Sequence, residues 1–236
     1  MTAPLNDAGR TVSPLTWRRS FLLLGVLLAA SVVLTGAAAV VARLAGVPPL
    51  PLIAWLAPGH ALVMIAAIAL LLRHWRLRFE DLGFRPPTAR LLHLVWQVPL
   101  MLVLLVLVQG AATALIGTSR GDDTIGRLVQ GDATGLVPVV AVGVVVLVPV
   151  WEEAVFRGVI RGGLLRRFPG WFAVVASALL FAGAHAVPLL LPYLFTAGVC
   201  LALLVRFHGT LWASVIAHGA LNGVVLLVTL QALAGR

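Results

Sequence analysis

Two adjacent carboxylates, Glu152 and Glu153, and two histidines, His185 and His218, interrupt stretches of sequence that are otherwise apolar. A carboxylate at low dielectric beside a neutral imidazole can hold and deprotonate a water. A second imidazole with an amide donor can stabilise an oxyanion. Glu152 with His185, and His218 with Asn222, therefore supply both halves of a peptide-bond hydrolase without a Ser or Cys nucleophile. His218 and Asn222 share one helix face. Glu153 and Arg157 are spaced i, i+4 with the acid on the N-terminal side, the favourable order for a helical ion pair. Glu152 points about 100° away on the helix wheel, has no such local partner, and is the better candidate for chemistry. Glu152, His185 and His218 are also ligand types that suit Zn, although the sequence lacks the His-Glu-x-x-His helix of common zinc hydrolases. The cofactor stays open between none and a divalent metal such as Zn.

The setting of these groups is what makes them costly. Of the 236 residues, 61% are hydrophobic and 11% charged, against about 25% charged in a soluble domain. The chain cannot cover a water-facing surface, and the bilayer must be its main solvent. An intramembrane carboxylate costs about 2.5 to 3.5 kcal/mol on insertion scales, so three spans that each carry a polar group do best when those groups face one cavity. Gly183, Ala184, Ala217, Gly219 and Ala220 would let the helices around them approach closely.

The elements that must position the site are membrane helices. The composition and the spacing of apolar runs predict an all-α, polytopic transmembrane helix bundle of about seven spans, with eight possible, since roughly 20 apolar residues cross the hydrocarbon core. The expected spans are 21–44, 49–72, 91–116, a run from 136 that continues past the two Glu, 171–186, 189–205 and 211–230. Residues 1–20 read as a cytoplasmic tail, 21–134 as a three-span region, and 135–236 as the catalytic core. Within the three-span region, residues 73–87 form an amphipathic interfacial segment whose Trp75, Phe79 and Phe84 dip into the acyl boundary. Pro99 predicts a kink in the third span. All 17 basic residues are Arg, giving a net charge of +9, and they concentrate in alternate loops. That bias predicts the N-terminus inside, the C-terminus outside and an odd number of spans. Short basic loops beside spans are a topology signal, and nucleic acid is not an expected partner; a membrane-associated protein or peptide and the lipid bilayer are. Cys200, the lone cysteine, allows no intramolecular disulfide. His60, His74, His93 and His208 are expected in or beside loops or near span ends without a role, Gln97 and Gln109 as structural hydrogen-bonders, and Trp151, Trp171 and Trp212 as interfacial anchors.

Read in order, Glu152-Glu153-Ala154-Val155-Phe156-Arg157, Phe181 to His185, and His218 to Asn222 resemble the E-E-x-x-x-R, F-x-x-x-H and H-x-x-x-N motifs of the CPBP intramembrane proteases, the CAAX-protease and bacteriocin-processing or Abi family. The resemblance covers 136–230. It implies an endopeptidase in which Glu152 and His185 activate water, His218 and Asn222 hold the oxyanion, and Glu153, Arg157 and Phe181 support the site. Members have been described both as metalloproteases and as metal-free glutamate proteases. The expected activity is hydrolysis of a peptide bond in a membrane-associated protein or peptide. Two other classes use the same residues: a non-catalytic membrane scaffold or immunity-type protein, and a proton-coupled transporter relaying through Glu152 and the two His. The lysine-free, glycine-rich composition and short loops point to a bacterial plasma membrane.

Overall fold

A computed structural model describes residues 14–46, 49–116 and 135–234. Among these residues the chain is helical throughout and contains no strand. Helix α1, Trp17–Ala45, starts where the Thr16 hydroxyl accepts the Arg19 amide at 3.4 Å, a side-chain cap for an otherwise unpaired donor. It ends at Gly46, whose φ of 61° is left-handed. Helix α2, Pro49–His74, packs against α1 and carries Pro58 in its interior.

The segment after α2 follows its amphipathic pattern only in part. It contains a short helix α3, Phe79–Leu82, closed by Gly83 at φ 113°. Arg78 and Glu80 are exposed, as expected at headgroup level, but Phe84 is buried, with its ring edge-on to Trp212 at 5.2 Å. The expectation that Phe84 enters lipid is therefore corrected. Backbone bonds explain why: Leu211 N–H donates to Gly83 O at 2.9 Å and the Thr210 hydroxyl to Arg85 O at 2.8 Å, which docks the segment on a turn far along the chain.

A 3₁₀ turn, Ala89–His93, leads into α4, Leu94–Ile116, with Pro99 inside it. The acidic loop with Asp122, Asp123 and Asp132 lies outside the described residues. Helix α5 is one continuous rod, Val137–Leu164, so it does run past the two Glu. It is not uniform: Val142–Leu147 and Ala154–Arg161 are wound as π-helix on either side of an α-helical Val148–Glu153. Helices α6, Gly170–Ala184, α7, Leu191–His208, and α8, Leu211–Ala234, complete the bundle.

Six described helices are long and apolar enough to cross a membrane, and α6 is an apolar helix of 15 residues. Large aliphatic side chains such as Leu28, Val106, Leu107 and Leu227 are exposed on the outside of the bundle. Water would penalise that surface, whereas acyl chains match it. Polar and charged burial is instead concentrated inside, at Glu152, Glu153, Arg157, Ser177, Ser214 and His218. The polytopic helical bundle expected from composition is the fold observed.

Two polar side chains assigned to span margins sit elsewhere. His60 lies within α2 and shares a hydrogen bond of 2.9 Å with Ser31 of α1. Trp151 faces inward, with its indole nitrogen buried and its ring 5.6 Å from His60, so it is no interfacial anchor. Gln97 and Gln109 are structural: Gln97 pairs with His208 at 2.8 Å and Gln109 donates to Leu189 O at 3.2 Å.

Candidate functional site

The site is assembled from α5, α6, α7 and α8. Glu153 is completely buried, and one of its oxygens serves two partners: Arg157 donates to Oε1 at 2.7 Å and His218 Nδ1 lies 3.0 Å from the same atom. The i, i+4 pair thus forms as its spacing demands, and it is tied to α8 as well. Arg157 also donates to Gly198 O of α7 at 3.2 Å. That carbonyl is within reach because α6 and α7 touch at Gly198, where an added Cβ would stand 2.9 Å from the Cβ of Ala178. The Arg157 guanidinium lies 4.5 Å over the ring of Phe181 on α6, a cation–π contact in a desolvated setting.

Glu152 is 9% exposed, and its Oε2 is buried without a hydrogen-bond partner among the described residues. The group facing it is His218 Nε2, 3.8 Å away. His218 therefore stands between the two carboxylates, Nδ1 against Glu153 and Nε2 toward Glu152. Since a carboxylate accepts only, Nδ1 carries the proton of the short bond. The gap on the Nε2 side is too long for a direct hydrogen bond.

The expected grouping is met in part. Glu152, Glu153, Arg157 and His218 converge, with Phe181 buried among them; its ring centroid is 5.7 Å from that of His218 and 4.7 Å from that of His185. His185 is half-buried at the C-terminal end of α6, its Nδ1 held 2.7 Å from Phe181 O of its own helix. Phe181 touches both imidazoles, so the aromatic of that motif is a structural link between the two histidines. Asn222 is half-buried, and its amide donates to Val144 O of α5 at 2.9 Å, a contact not foreseen from sequence. Glu152, His185 and His218 are the set expected if a metal is bound; among the described residues no group of three or more His, Cys, Asp or Glu that could hold a metal ion is present.

The arrangement offers a buried carboxylate oxygen, an imidazole nitrogen facing it, and an ion pair that fixes that imidazole. Gly219, on the same face of α8 as Asn222, makes the close helix approach expected of it from the sequence. A Cβ there would stand 2.5 Å from Val145 O, so only glycine lets α8 approach α5 closely enough for His218 to meet both acids.

The sequence model of the family described as "Type II CAAX prenyl endopeptidase Rce1-like" matches residues 134–224, the stretch from the start of α5 to just beyond Asn222. No curated protein and no solved structure matches the chain. The helical membrane bundle, the buried acid–imidazole cluster and this match agree: over residues 134–224, less than half of its length, the chain is similar to a family of CAAX prenyl endopeptidases.

Proposed function

We propose that the chain hydrolyses a peptide bond of a membrane-associated protein or peptide, with Glu152 as the general base. The observation that carries this is the buried, unpartnered Glu152 Oε2 with His218 Nε2 3.8 Å across from it. Glu152 takes a proton from a water, with His185 helping to orient that water. The oxygen attacks the scissile carbonyl carbon, and Glu152 returns the proton to the leaving amine. His218 in its doubly protonated state donates from Nε2 to the developing oxyanion, joined by the Asn222 amide.

The buried Glu153–Arg157 pair supports these roles, because the two charges offset each other inside the bundle. Glu153 holds the His218 ring by Nδ1 and is itself held by Arg157, so it acts through its neighbours and stays off the reacting atoms. The family points to a CAAX-ending, prenylated peptide as the first substrate class to try, and the composition to a bacterial plasma membrane.

The test is a comparison of protein terminal fragments in membranes carrying the wild-type chain or Glu152→Gln. New carboxyl termini should appear with the wild type and vanish with the variant. Identical fragment sets would refute the reading.

A further inference from the structure

We infer that Pro149, which lies outside every motif, is a positioning residue for Asn222: it keeps Val144 O free of backbone donors, so that this carbonyl fixes the Asn222 amide. The inference rests on the proposed role of Asn222 at the oxyanion. In an α-helix Val144 O would accept from the amide of residue 148. Here Val148 N–H donates five residues back to Gly143 O, the signature of the π turn. In that register the next donor for Val144 O would be residue 149, which is a proline and has no N–H. The carbonyl is therefore orphaned by two coincident causes, and a buried orphan carbonyl costs free energy unless a side chain satisfies it.

Asn222 does so at 2.9 Å. Two contacts on the same face of α8 bring it there: Gly219, whose absent Cβ would stand 2.5 Å from Val145 O, and Gly223, for which the nearest Val145 methyls would lie at 3.9 Å. Pro149 is completely buried, so it is shielded from lipid and its ring fills space inside the bundle. An asparagine amide carries two N–H groups. Committing one to Val144 O fixes the plane of the amide and leaves the other for substrate. The proline three residues before Glu152 thus sets the geometry of a residue on another helix, 73 positions later.

The experiment uses the full chain in lipid nanodiscs with ¹⁵N-labelled asparagine. Asn6 and Asn222 are the two asparagines, and Asn6→Gln assigns the remaining side-chain pair to Asn222. In the wild type that pair should be split beyond free-amide values, with one hydrogen protected from exchange. In Pro149→Ala, residue 149 regains an N–H, the turn can return to α-helix, and the Asn222 pair should move to free-amide values. Turnover of a farnesylated, CAAX-ending peptide should fall about tenfold, as for loss of one oriented hydrogen bond, with KM unchanged. A wild-type pair already at free-amide values overturns the inference without any variant. So does a Pro149→Ala protein whose pair is unmoved, or one with a freed amide and full turnover. Glu152→Gln separates the two readings: it should leave the Asn222 pair in place, and activity surviving in it would count against the proposed chemistry alone.

Discussion

At the scale of single residues, the two adjacent glutamates sit in different surroundings. Glu153 has Arg157 and His218 on one oxygen, and the side chains of the ion pair are 0% and 1% exposed. Each keeps one buried oxygen free of hydrogen bonds among the described residues, but Glu152 has no ion pair as short as that of Glu153 with Arg157: the group facing it is His218 Nε2 at 3.8 Å. Removing the charge of Glu153 leaves the Arg157 guanidinium buried without its counter-ion, a change that costs about 3 to 5 kcal/mol. Glu153→Gln should therefore lower the thermal unfolding midpoint in detergent far more than Glu152→Gln, although the two residues are neighbours and equally acidic. Equal shifts would show that the ion pair carries no structural load. This division was legible in the sequence, because an i, i+4 acid and base pair on a helix and the other acid has no such partner. What could not be read was that His218 stands between the two acids, bonded to Glu153 and facing Glu152, since that depends on the approach of α8 and on the rotation of α5 at its π turns.

At the scale of elements, the spans were visible because each is a long apolar run bounded by Arg, Gly or Pro, and the helices observed follow those runs to within a few residues. The hydrogen-bond register inside a run leaves no trace in hydropathy, so the two π segments of α5 were not foreseen. His60 was misplaced for a related reason. Pro58-Gly59 before it resembles a turn, yet α2 continues through both, and α5 fits against Pro58 at Gly143, where a Cβ would stand 2.9 Å from the proline nitrogen. Membrane helices accept such breakers where neighbouring helices pack against them. Close glycine contacts therefore hold the elements together, and they predict unequal effects from equal substitutions. Gly219→Ala places a methyl against Val145 O and should both destabilise the protein and cut proteolysis. Gly25→Ala, with nothing within 4 Å, should leave both unchanged. Thermal unfolding and peptide cleavage measured on the two variants check this, and full activity in Gly219→Ala would show that the helix contact can relax without consequence.

At the scale of the whole molecule, the composition that excluded a soluble fold also accounts for where the site lies: charged groups that lipid would reject are collected inside, around one histidine. The Arg distribution predicts that a phosphatase fused after Ala234 is active outside the cell and one fused before Trp17 is not. Activity at both ends or at neither would mean an even number of crossings, with α6, which at 15 residues is about 22 Å long, failing to span. The central claim, that Glu152 activates water for peptide hydrolysis, is tested most directly by the cleavage rate of a farnesylated, CAAX-ending peptide in proteoliposomes holding wild type or Glu152→Gln. Loss of a positioned general base lowers a rate by about a hundred- to ten-thousand-fold, and a drop of that size with the bundle still folded is the predicted result. Cleavage by Glu152→Gln at the wild-type rate would contradict it.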